Sequence, residues 1–125
     1  MTPNDMGYLP SISLIPAAAV TATANGTAVD IKDFIGNLQV LLDAGAGTGT
    51  TPTLDIKLQD SPDNVTFTDI AGKSFTQVTA AASRQQMVLN TDACARYVRA
   101  VATLGGSTPS FPVSVQAVGV KQVFP

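Results

Sequence analysis

Apolar and polar residues alternate with a period of two along most of this chain. The cleanest stretch is 53–59, where Leu54, Ile56 and Leu58 point one way and Asp55, Lys57 and Gln59 the other. That spacing predicts a half-buried β-strand. The same alternation marks 37–43 through Leu38, Val40 and Leu42, 85–90 through Met87 and Leu89, and 111–123 around Val113, Val115 and Ala117. Residues 96–104, rich in aromatic and β-branched side chains, form another expected strand, with shorter ones at 65–70 and 74–78. Residues 20–24 and 27–32 alternate on either side of Asn25-Gly26. That dipeptide predicts a hairpin, because both central residues of a type I′ turn need positive φ.

Breaks in the pattern carry turn chemistry. Residues 44–52 hold three glycines and end in Pro52, which predicts a flexible loop, and 105–109 predicts a second one. Residues 60–64 (Asp-Ser-Pro-Asp-Asn) and 71–73 read as tight turns, and 90–95 as a corner. No window of about eleven residues has a convincing helical period. Eight or nine short strands with turns at these intervals predict an all-β, antiparallel β-sandwich in one domain, 18–125. Residues 1–17 differ: Pro3, Pro10 and Pro16 prevent a regular helix there. They are expected to form an extended N-terminal arm whose Tyr8, Leu9, Ile12, Leu14 and Ile15 anchor it on a partner. The alternative is that 12–15 is simply the first strand of the same sandwich.

Composition narrows the functions. The chain has 125 residues, seven Lys and Arg against nine Asp and Glu, no His, no Trp and one Cys. A net charge of −2 offers no electrostatic footprint for nucleic acid. No apolar run is long enough to span a membrane, and no secretory leader is visible at the start. Without histidine, Ser-His-Asp and Cys-His catalysis are closed and the common zinc sites are unavailable. Charged residues make up 13% of the chain, about half the usual share of about 25%, so part of the surface is expected to be covered by a partner. No enzyme activity, cofactor or metal is expected.

The remaining motifs read as structure. Asp55, Asp60, Asp63 and Asp69 are close in sequence, yet the alternation separates Asp55 from the 60–64 turn and the spacing matches no EF-hand, so they are expected to shape turns. The two Asn-x-Thr sequons at Asn25 and Asn64 are chance matches in a Thr-rich chain. The glycine run at 45–49 lacks the Lys-Ser/Thr ending of a phosphate loop and precedes a strand. Cys94 is expected to be a small buried hydrophobe. Arg96 and Arg99 cannot share a face of a regular strand, so one of them sits where the strand begins or at a bulge. They are candidate interface charges, with pairing to an acidic turn of the same chain as the alternative.

Two stretches carry a family resemblance. Residues 29–42 lead into Leu-Asp-Ile-Lys-Leu-Gln-Asp-Ser-Pro-Asp-Asn-Val-Thr-Phe-Thr-Asp-Ile at 54–70. Residues 95–106 hold Arg96-Tyr97-Val98-Arg99 and precede a Val-rich last strand. Together these resemble the small head decoration (cement) proteins of tailed bacteriophages, over about residues 20–121. The resemblance implies a jelly-roll-like sandwich, assembled as a homotrimer on the capsid surface with the major capsid protein as partner. It also implies a place in the virion after synthesis in the host cytoplasm. The Arg-Tyr-Val-Arg strand is similar as well to discoidin-like and carbohydrate-binding sandwiches, which implies a glycan-binding module of a phage tail or adhesion protein as the second reading.

Overall fold

The computed structural model describes residues 11–121. Eight strands follow one another: β1 (Ser11–Val20), β2 (Ala24–Asn25), β3 (Val29–Asp30), β4 (Phe34–Ala44), β5 (Thr48–Ser61), β6 (Thr68–Ser74), β7 (Ser83–Asn90) and β8 (Tyr97–Lys121), with one 3-10 turn at Thr91–Ala93. All pairings are antiparallel, as the alternation predicts.

The last strand organises the rest. Its C-terminal half lies between β1 and β4, with β7 outside β4. Its N-terminal half lies between β5 on one side and β2 and β3 on the other, with β6 outside β5. Extended, the 25 residues of β8 would reach about 80 Å. Yet Asp30 pairs with Tyr97 at one end and Phe34 with Lys121 at the other. Four residues span at most about 14 Å, so the two ends of β8 must lie close together. The strand therefore folds back, and its halves form two facing sheets of a nearly closed barrel.

The fold-back lies at 105–110. Here β5 and β8 stay paired but slip register twice, and positive φ values occur on both strands, at Gly49 and Thr51 and at Gly106 and Thr108. On the other flank, residues 21–23 cut across the corner, and the Thr23 hydroxyl accepts the Leu104 N–H at 3.0 Å. The two expected loops at 44–52 and 105–109 are thus largely one paired corner. Their glycines supply the φ the bend needs, without breaking the strands.

One core lies between the sheets. Leu38, Val40 and Leu42 of β4, Leu89 of β7 and Val113, Val115 and Ala117 of β8 meet Leu54, Ile56 and Leu58 of β5 and Val98, Ala100 and Ala102 of β8. Full burial of each large aliphatic here contributes about 1.5–3 kcal/mol. Ser61 is the buried polar residue among those described, and its hydroxyl donates to Asp63 Oδ1 at 2.9 Å.

Two expectations are corrected. Asn25-Gly26 does not turn a hairpin: β2 and β3 both pair with β8. Gly26 donates to the Ala100 carbonyl at 2.6 Å, and Thr27 donates to the Leu14 carbonyl at 3.1 Å. A side chain at Gly26 would strike both carbonyls, so this glycine allows close approach, not a turn. The arm is corrected from Ser11 onward. Strand β1 pairs along β8 from Ser11↔Val118 to Val20↔Phe111, so the expected boundary at 17/18 falls inside a strand. Leu14 and Ile15 belong to the chain's own core, both turned inward by a register shift between Ser13 and Ile15. Ile12 packs half-buried against that core. Apolar side chains beside an open sheet edge gain more by closing their own core than by waiting for a partner. Tyr8 and Leu9 lie outside the described residues.

Candidate interaction surface

The outward faces of the two sheets differ in chemistry. On the second sheet, built on β5 and the N-terminal half of β8, the outward row is charged and internally paired. Lys57 bridges to Asp69 at 3.0 Å, Asp55 accepts from the Gln77 amide, and Arg99 donates from Nε to Gln59 at 2.9 Å. The Arg99 guanidinium also stacks 4.0 Å from the Phe67 ring centre, a cation–π contact. Arg96 sits just before β8 and donates to Asp30 at 2.7 and 3.0 Å, with Tyr97 beneath it. Both candidate interface arginines therefore have partners within the chain.

Of the four clustered acids, Asp63 shapes a turn and Asp60 holds a corner at the end of β5, whereas Asp55 and Asp69 lie on strands β5 and β6. Asp63 accepts from the backbone N–H groups of Val65 and Thr66 and from the Ser61 hydroxyl, with Asn64 at positive φ beside it. Asp60 accepts the Ala95 N–H at 2.8 Å. Among the described residues no group of three His, Cys, Asp or Glu is placed to hold a metal. Cys94 is half-buried, and burial, then Asp60 and Asp92, push its thiol up to about 11, so it is a poor nucleophile at neutral pH.

Three carboxyls are held below their ordinary range: Asp30 chiefly by the hydrogen bond from Arg96, Asp63 by the Thr66 and Val65 N–H groups, and Asp69 by Gln59 and Lys57. A depressed carboxyl contributes stability above its unfolded pKa and loses it as pH falls through the folded value. The melting temperature is therefore expected to be flat near neutrality and to fall below about pH 4. Asp63→Asn keeps a side-chain acceptor for the turn but not the charge. Thermal melts of this variant from pH 7 to pH 2 should fall less steeply than wild type; an unchanged slope would contradict the assignment.

The outward face of the first sheet is the opposite case. Exposed apolar side chains line it: Ile35 47%, Leu41 37%, Val88 47% and Val120 50%. Cross-strand register pairs Ile35 directly with Val120 and interleaves the others with glutamine: Gln39 lies between Val118 and Val88, and Leu41 between Gln116 and Gln86. The polar groups among them are uncharged, with Gln39 donating to Gln86 at 2.6 Å. Asp43 and Arg84, directly paired in register, are 3.6 Å apart and both well exposed. A furrow of about 460 Å³ runs here along Leu41, Asp43, Arg84, Gln86, Ser114 and Gln116. A second, of about 490 Å³, shares Asp43 and Ser114 and continues to Ala17–19 and Pro112. Together they cross the sheet from β7 to β1.

Large apolar side chains on a solvated sheet face make it a candidate contact surface. The expectations at 8–15 and at Arg96 and Arg99 did not include these residues. A signal was present: Leu41, Val88 and Val120 occupy the polar phase of their strands, where alternation calls for hydrophilic residues. No family model matches the chain, and no curated protein matches it.

Proposed function

We propose that this chain is a virion structural protein: a decoration protein that binds the outer surface of a tailed-phage head and stabilises it through protein–protein contacts, with the major capsid protein as partner. It works by binding and not by catalysis, and the barrel is taken as a variant of the jelly-roll-like sandwich. The observation that carries this is the outward face of the first sheet, apolar and glutamine-lined with Asp43–Arg84 as its charged pair, set against a second face built mainly of charged pairs. Such a molecule has little to steer a charged ligand and one surface made for association. The resemblance of residues 54–70 and 95–106 to head decoration proteins supplies the kind of assembly. A capsid repeats each contact many times, so individually weak attachments still stiffen the shell.

Mixing the purified protein with expanded empty heads of the phage that encodes it, then pelleting the heads, tests this. The protein should co-pellet to a fixed stoichiometry and raise the temperature at which the heads disrupt. Binding to a glycan array with none to heads would overturn it in favour of the carbohydrate-binding reading.

A further inference from the structure

We infer that Asn25-Gly26 is a deamidation site held inert by the fold, and that its reaction in an opened chain is a one-way loss of the ability to fold. It is the single Asn-Gly step in the sequence. Its turn chemistry goes unused, because the fold needs Gly26 for close approach and not for a hairpin.

The step stays reactive wherever it is free. In an open chain the Gly26 nitrogen gives up its proton and attacks Cγ of the Asn25 amide. A C–N bond forms, ammonia leaves carrying a proton, and a five-membered succinimide results. Water then opens the ring at either carbonyl. Opening at Cγ gives aspartate. Opening at the former backbone carbonyl, the main route, gives isoaspartate, with the chain rerouted through the side chain of residue 25. A following glycine favours ring closure, because no Cβ obstructs the approaching nitrogen.

Three features of the fold stop it. The attacking nitrogen is engaged, donating its N–H to the Ala100 carbonyl at 2.6 Å. Asn25 lies in β2 paired with Val101, and ring closure requires its peptide to rotate out of the extended conformation. The next residue is tied as well, with Thr27 donating to the Leu14 carbonyl of β1 at 3.1 Å. The Asn25 side chain is exposed to water, yet the backbone must separate from β8 and β1 before it can react.

The product cannot return. Isoaspartate puts one extra carbon into the backbone between residues 25 and 26. The pairs Ala24↔Ala102 and Asn25↔Val101 before it then fall out of step with the bonds of Gly26 and Thr27 after it. There is no slack at Gly26, where even a Cβ would sit 2.4 Å from the Leu14 carbonyl oxygen and 2.8 Å from that of Ala100. These contacts join β1 to the N-terminal half of β8, so misregister there opens the core around Leu14 and Ile15.

Mass spectrometry of the full chain, held in mildly alkaline buffer with and without guanidinium chloride, tests this. Denatured chains should gain about one mass unit, and become substrates for isoaspartate methyltransferase, at least roughly ten-fold faster than native ones. Asn25→Ser keeps the strand and should remove most of the gain. After dilution from denaturant, the isoaspartyl fraction, separated by its added charge, should fail to recover the wild-type circular dichroism. Asn25→Asp adds the charge without the backbone carbon and should fold. A gain no faster in denaturant, a gain that Asn25→Ser leaves unchanged, an isoaspartyl chain that refolds, or an Asn25→Asp chain that does not, would each overturn the inference.

Discussion

Phe111→Ala is expected to remove about 3–5 kcal/mol of folding stability. Phe111 is completely buried at the point where β8 passes from one sheet to the other. Its backbone pairs with Val20 at the end of β1, and its ring presses on Gly47, where any side chain would collide with it. Paired backbone on both flanks limits how far the surroundings can collapse into the space the ring leaves, so the cavity term adds to the lost transfer energy. A domain of this size has about 5–15 kcal/mol in total, so the variant should unfold at a much lower denaturant midpoint. A loss under about 1 kcal/mol in urea titration would mean that the corner is not held by this ring.

Gly106→Ala should be nearly as damaging, for a backbone reason. Gly106 has φ of +99°, and a Cβ there would sit 2.7 Å from the Thr50 carbonyl oxygen, with Thr51 also in the way. Gly49 faces the mirror situation against Ser107 and Thr108, so the two strands interlock at the bend. Backbone strain of this kind costs about 1–3 kcal/mol, and the carbonyl collision adds to it. Gly72 is the control, with φ of +75° and open space around it. Gly72→Ala should show only the strain. Equal losses in the two variants, measured by denaturant titration, would contradict the interlocked corner.

Much of the fold was legible in the alternation. Leu54, Ile56 and Leu58, and Leu38, Val40 and Leu42, are inward as their spacing required. What local pattern could not supply was partnership across long sequence separations. Asn25-Gly26 has the chemistry of a hairpin, yet its neighbours pair with residues 97–102, because β8 offered a longer partner than a two-residue strand could. Nor does a glycine-rich run distinguish a loop from a bulged corner; the difference lies in the opposing strand, where Gly106 and Thr108 bulge in concert with Gly49 and Thr51. The site was missed for a related reason. The proline-rich start and the arginines are conspicuous in the sequence, whereas Leu41 and Val88 stand out only when the phase of each strand is followed outward as well as inward.

Two lysine substitutions on opposite faces test most directly the proposal that the outward face of the first sheet is where this protein meets the capsid. Leu41→Lys places a charge among Gln116, Gln86 and their apolar neighbours; Thr103→Lys places the same charge on the exposed outer row of the second sheet, opposite Asp55. Co-pelleting with expanded empty heads, after confirming equal melting temperatures, should show Leu41→Lys lost from the heads while Thr103→Lys binds at wild-type occupancy. Leu41→Lys binding at wild-type occupancy, or both variants being lost from the heads alike, would contradict it.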